Sequence, residues 1–338
     1  MSDDVIVTSS ADIVSDTTSL QAGEAGDTGD SEEGEFRPLQ SSVRTAPPSQ
    51  PSPRGGHQLC IDSVQQNIYM FGGWDGARDL ADFWQYNITS GKWRLLSGDT
   101  AAEGGPGPRS CHKMVLDPKY RQIFVLGRYL ERGLRDTQAN TRSDFYVYDI
   151  GAEKWTMITD DTSAMAGPNL IFDHQMCLDV ERRDIYVFGG QTLFMQTASG
   201  TLQERPVSDK KFSGLYVYHI PDNTWRLLCD DGDAPASGVP PIRSRTGHSM
   251  LFNTADRNLY IFGGQRRRDE YLNDFFRYNV DSGCVMFLSD GEVPDSIPAV
   301  GYTQRATIDC GRGEIYVMTG LNKDKVGEFE CKNEKLVQ

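Results

Sequence analysis

The hydrophobic pattern of this chain is a short apolar run that carries an aromatic and ends in glycine. Asn67–Gly73 reads Asn-Ile-Tyr-Met-Phe-Gly-Gly, and the phrase returns at Gln122–Arg128, Asp184–Gly190, Asn258–Gly264 and Glu314–Gly320. Runs this short, bounded by turn residues, are strands rather than helices. His57, His112, His174, His248 and Gln304 open the five segments, and five residues on stand Asp62, Asp117, Asp179, Asn253 and Asp309. These constant offsets predict one β-hairpin used five times, with Asx and Gly chemistry at its turn. Near-continuous apolarity predicts strands buried on both faces.

A second register follows the first. Asp82, Asp144, Gly214 and Asp274 each precede an aromatic run, and eleven residues after them stand Trp93, Trp155, Trp225 and Val285. Two further strands per unit make a four-stranded antiparallel sheet, and such sheets in series predict an all-β propeller. The blades fall at about 54–97, 109–159, 171–229, 245–289 and 301–320. The last stops half-way, so four full four-stranded blades and half of a fifth are expected, with residues 321–338 a C-terminal tail left by truncation. Between the diglycine and the aspartate marker, blades two and three carry long inserts, which must emerge from one face. Loops on a rigid scaffold are where binding concentrates.

Composition changes this picture at the N-terminus. Residues 1–53 are acidic and Pro-rich, with ten acids and no base before residue 37. Such a segment cannot bury enough apolar surface to order itself and is expected to be disordered. The net charge of −14 falls to about −4 without residues 1–36, which argues against nucleic-acid binding. Seven cysteines, without a Cys-x-x-Cys pair, suit a reducing compartment, and neither a signal peptide nor an apolar span of membrane length is seen. Cytoplasm or nucleus is the expected location.

The recurring Gly-Gly, the tyrosine before it, the Asp-aromatic strand and the Trp beyond it resemble the kelch repeat over residues 54–320. Within that family, Phe71-Gly-Gly-Trp-Asp-Gly76, Arg109-Ser-Cys-His-Lys-Met114, Leu126-Gly-Arg-Tyr129 and Phe172-Asp-His-Gln-Met-Cys177 are similar to the muskelin-like wording. That resemblance implies a non-catalytic intracellular scaffold. It implies roles in cytoskeletal organisation and cell spreading, and membership of a CTLH-type ubiquitin ligase assembly as component or substrate adaptor. The partners implied are proteins: acidic peptide segments, ligase subunits or cytoskeletal proteins. The discoidin, LisH and CTLH segments of muskelin-like proteins have no counterpart here. An actin cross-linking kelch protein is the alternative, and a kelch-type copper oxidase a more distant one. No Gly-x-Ser-x-Gly, His-Glu-x-x-His or P-loop is present in the sequence.

Candidate residues carry two readings each. His57, His112, His174 and His248 circle the axis, but zinc needs about four ligands within roughly 2.0–2.3 Å, too close for separate blades. The expectation is therefore no metal and no cofactor, with ring nitrogens satisfying buried backbone groups. Gly72, Gly73, Gly127, Gly189, Gly190, Gly263 and Gly264 are read as backbone devices for positive φ or close approach, and Trp93, Trp155 and Trp225 as inter-blade packing. Arg54, Arg109 and Arg245 stand three residues before their histidines, with Ile171 and Gly301 breaking the series. They are either structural partners of Asp82, Asp144 and Asp274 or a cationic mouth for an acidic peptide. Arg128, Arg132, Arg135 and Arg142 in the blade-two insert, with Arg266, Arg267 and Arg268 in blade four, are either a solvated charge run or a shared basic patch that the acidic tail could mask.

Overall fold

The computed structural model describes residues 48–193, 212–231, 242–267, 270–289, 305–318 and 333–337. Blade one is β1 (Gln58–Asp62), β2 (Asn67–Phe71), β3 (Phe83–Asn87) and β4 (Lys92–Ser97). Blade two is β5 (Lys113–Asp117), β6 (Gln122–Leu126), β7 (Phe145–Asp149) and β8 (Lys154–Thr159). Blade three is β9 (Ile171–Asp179), β10 (Asp184–Thr192), β11 (Leu215–His219) and β12 (Thr224–Cys229). In blade four, β13 (Ser249–Asn253) and β14 (Asn258–Phe262) lead through a small ribbon, β15 (Gln265–Arg267) and β16 (Glu270–Tyr271), to β17 (Phe275–Asn279) and β18 (Val285–Ser289). Each is an antiparallel meander in chain order, and successive first strands touch one another in the order β1, β5, β9, β13, β19.

The fifth sheet corrects the half-blade expectation. β19 (Arg305–Asp309) pairs with β20 (Glu314–Met318), and β21 (Asn333–Val337) adds a third strand along β20, within the stretch read as a tail. That strand carries none of the Asp-aromatic and Trp markers, so the sequence pattern had nothing to register. Residues 1–47, Arg268, Gly301, Gln304, Thr319, Gly320 and 321–332 lie outside the described residues, and so does the Arg267 side chain.

The core lies between blades. Alternation along β2, β6, β10 and β14 sends one set of side chains to the preceding sheet and the other to the following one. Tyr69, Phe71 and Phe83 of blade one thus pack on Ile123, Val125 and Trp155 of blade two. The same exchange joins blade two to three around Phe124, Phe145 and Trp225, blade three to four around Phe188, Ile261 and Phe276, and blade four to five around Tyr260 and Ile315. Trp155 lies against Phe71 and Phe83 at ring-centroid distances of 5.7 and 5.2 Å, and Trp225 against Phe145 at 5.5 Å. Both indoles also cover a linker glycine, Gly105 and Gly167, where a Cβ would come within 2.7 and 2.9 Å of the ring.

The glycines close each joint. The first glycine after the second strand has φ of +63° (Gly72), +79° (Gly127) and +72° (Gly189). A Cβ there would stand 2.5 Å from the carbonyl oxygen of Arg109, Ile171 or Arg245 in the next blade, so any side chain is excluded. The next residue donates its backbone N–H across the same joint: Gly73 to Arg109 at 2.9 Å, Arg128 to Ile171 at 3.1 Å and Gly190 to Arg245 at 2.9 Å.

The histidines do not act as expected. His112, His174 and His248 are fully buried, yet among the described residues none of their ring nitrogens has a hydrogen-bond partner. Each imidazole is a flat wedge. Its Cε1 faces the first glycine of the preceding blade and, in His174 and His248, its Cβ faces the second glycine of its own. His112 and His248 also meet Phe71 and Phe188 edge to face at 5.1 and 5.2 Å. Burial holds all three well below the ordinary imidazole range.

Candidate protein-interaction face

Three of the predicted site arginines are internal clamps. Arg54 donates to both oxygens of Asp82 at 2.5 and 2.9 Å, Arg109 to both of Asp144 at 3.1 and 2.8 Å, and Arg245 to both of Asp274. Each also reaches the carbonyl of the first glycine in its blade, at 3.1, 3.3 and 3.2 Å. The fork therefore ties the entry of the first strand to the entry of the third through a bidentate, charge-assisted pair. The side chains of Arg109 and Arg245 are 1% and 0% exposed, which leaves no cationic mouth at these residues for a partner.

Blade three lacks both halves of the clamp. Ile171 replaces the arginine and Gly214 the aspartate. A Cβ on Gly214 would stand 2.3 Å from the carbonyl oxygen of Cys229, so no aspartate fits there. In compensation the inner hairpin is longer: β9 and β10 each run nine residues and pair out to Thr192 opposite Ile171.

An arginine pins the blade-two insert, and another lies where the blade-three insert ends. In blade two, Arg128 occupies the second-glycine position. It donates to Asp144 at 2.8 Å and to the carbonyls of Asn140 and Arg142 at 3.0 and 3.3 Å, fixing the base of the insert. Burial pushes the Asp144 carboxyl up, but Arg109 and Arg128 more than offset this and hold it below the usual carboxylate range. Arg266 ties the linker between blades three and four. It grips Asp231 at 2.7 and 3.1 Å and the Ser244 carbonyl at 2.6 Å, and lies 4.8 Å over the ring of Phe212, where the blade-three insert returns.

Within the blade-two insert, Arg135 caps the Leu130 carbonyl at 2.8 and 2.6 Å and sits over Tyr129 at 5.9 Å, and Tyr129 meets Phe172 of blade three at 5.2 Å. Arg142 pairs with Asp160. Among the described residues, Arg128, Arg142 and Arg266 pair with carboxylates and Arg135 with a carbonyl, so these four are not free cations of a shared patch. Tyr129, Arg132 and Leu134 are left facing solvent.

A second arginine series escaped the sequence reading. Asp62, Asp117 and Asp179, all buried, reach across the joints to Arg121 at 3.9 Å, Arg183 at 3.1 Å and Arg257 at 2.7 Å. The three arginines occupy one repeat position, nine residues past the histidine, with φ of 54°, 57° and 61°. At the joint from blade four to five the pair is Asn253 and Gly313, so both charges disappear together. The signal was present as two constant offsets, but only packing shows that residues of neighbouring blades meet.

Four-stranded meanders joined by glycine and tryptophan contacts define a β-propeller of repeated blades. The chain belongs to the kelch-repeat family: it matches the KLHDC2/KLHL20/DRC7 Kelch-repeats domain over residues 35–236. It is 30% identical to Mei4-dependent protein 6 of Schizosaccharomyces pombe over 278 residues, 81% of this chain and 37% of that protein. It is 26% identical over 290 residues to the Leucine-zipper-like transcriptional regulator 1 homolog of Drosophila melanogaster, covering 82% of this chain and 25% of that one. A likeness of 29% over 212 residues links it to N-(sulfonatooxy)prop-2-enimidothioate sulfolyase of Thlaspi arvense, covering 61% of this chain and 54% of the enzyme. The chain thus spans about 37% of the S. pombe relative. The kelch-repeat propeller is typically a non-catalytic protein-interaction module. Among the described residues, no helix is long and apolar enough to cross a membrane.

Proposed function

We propose that this chain is a non-catalytic scaffold that receives protein partners on the face carrying the inserts. The observation that carries this reading is the anchoring of the blade-two insert by Arg128, which bonds Asp144 and the carbonyls of Asn140 and Arg142. A loop whose base is fixed by buried ion pairs pays less ordering entropy when a partner docks. Tyr129, Arg132 and Leu134 supply an aromatic, a cation and an aliphatic group at one exposed site. The muskelin-like wording favours a finer role as component or substrate adaptor of a CTLH-type ubiquitin ligase assembly in the cytoplasm or nucleus, with effects on cell spreading.

A second reading, cross-linking of actin through the blade rims, draws on the exposed apolar residues of the outer strands: Met157, Leu227, Met286 and Phe287. A photo-crosslinking amino acid placed at position 134 or at position 227 separates the two. Adducts with ligase subunits or their substrates from position 134 alone support the adaptor. Adducts with actin from position 227 alone replace it with the cross-linker.

A further inference from the structure

At three successive joints the same neutral wedge recurs. His112, His174 and His248 set their Cε1 against Gly72, Gly127 and Gly189 of the preceding blade, where a Cβ would stand 3.1, 2.6 and 2.7 Å from it. The backbone carbonyls nearest to this contact, those of Arg109, Ile171 and Arg245, already accept the N–H of Gly73, Arg128 and Gly190. The titratable groups acting on these rings carry the wrong sign to welcome a proton. Arg109, Lys113, His57 and His174 act on His112; Lys113 acts on His174; Arg245, Lys113 and His174 act on His248. The carboxylates Asp144 and Asp274, in the same blades as His112 and His248, are engaged by Arg109 and Arg245.

We propose that His112, His174 and His248 form a proton-sensitive latch that stabilises the joints of blades one to four at neutral pH and weakens them in mild acid. The physical argument is linkage. A histidine held neutral in the folded state binds a proton only after the joint opens, so its contribution to stability is complete above the free imidazole pKa of about 6.5 and is lost as pH falls below it. Each such ring raises the unfolding equilibrium constant about tenfold between pH 7.5 and 5.5, and three rings together about a thousandfold. Asp144, held below the usual carboxylate range by Arg109 and Arg128 against the burial that raises it, contributes stability that is present above the free carboxyl value of about 4 and is lost only below it. The two windows are therefore separable.

The test is urea unfolding of the full chain from pH 7.5 to 5.5, beside His174→Gln, glutamine being the residue the fifth unit itself carries at Gln304. The expected result is a rise of the unfolding constant of about a thousandfold in the wild type and about a hundredfold in the variant, a pH slope of stability shallower by about one third. An equal pH dependence in both overturns the latch. Should the variant not fold, the imidazole nitrogen shifts of the wild type decide. Three rings that stay neutral down to pH 5.5 while the protein remains folded support the latch, and rings that titrate near 6.5 in the folded protein overturn it.

Discussion

Arginines of the same repeat position should differ in worth according to what else touches their aspartate. Arg245→Met removes the one described cation on Asp274, in a site where the arginine side chain is 0% and the aspartate 16% exposed. Breaking a buried pair from one side costs about 3–5 kcal/mol, because the remaining charge is left unpaired. The partial exposure of Asp274 points to the lower end, about 3 kcal/mol. Arg109→Met removes the same guanidinium from blade two, but Asp144 keeps Arg128 at 2.8 Å. The loss there should be about half, ~1–2 kcal/mol, since the carboxylate stays compensated. The other contacts of the two arginines match: a first-glycine carbonyl, a carbonyl two residues back, and an aromatic face at 5.7 Å for Arg109 and 5.3 Å for Arg245. Urea unfolding followed by tryptophan fluorescence resolves a difference of this size, since small domains lose about 1–3 kcal/mol per molar urea. Adding Asp274→Asn to Arg245→Met should restore part of the loss. Equal losses at the two sites would refute the reasoning. So would an Arg245→Met protein of unchanged stability that no longer binds its partner, which would return these residues to a binding mouth.

The remaining predictions concern the joints and the insert. Asn253→Asp places a carboxylate in a buried position facing Gly313 and should cost about 3 kcal/mol; adding Gly313→Arg, at a φ of 67° with open space around its Cβ, should recover part of it by recreating the pair of the other joints. Failure of the double variant to recover in a thermal melt would mean that joint four is not built on the register of the others. Gly189→Ala should cost about 2–4 kcal/mol, adding left-handed strain to a methyl 2.5 Å from the Arg245 carbonyl, and a chemical denaturation curve shows it. Leu134→Ala with Tyr129→Ala should leave the melting temperature within a few degrees, since both are surface positions, while weakening capture of the partner found by crosslinking.

The internal comparison of blades also shows how charge is conserved as a pair rather than as a residue. Blade three loses Arg and Asp together at Ile171 and Gly214, and the joint from blade four to five loses them together at Asn253 and Gly313. A single loss would strand a buried ion, which costs more than replacing the whole pair by neutral groups. Reading each break in a series alone, as with Ile171, misses this.

The sequence alone determined the repeat. Constant offsets from His57, His112, His174 and His248 to the glycines, and from Asp82, Asp144 and Gly214 to the tryptophans, placed the four-stranded blades, because strand period, turn chemistry and glycine stops are local properties written in consecutive residues. The third strand of the fifth sheet escaped, since Asn333–Val337 carries no marker and owes its place to pairing with Glu314–Met318. Tertiary structure decided what the charged and polar positions do. Arg109 and Arg245 read first as a clamp and second as a binding mouth, and the choice is made only when Asp144 and Asp274 are seen in their forks. The histidines read as hydrogen-bonding residues until glycines from two blades are found against their rings. Such roles depend on which residues of a neighbouring blade arrive within a few ångströms, and that distance is set by packing across the joint rather than by spacing along the chain.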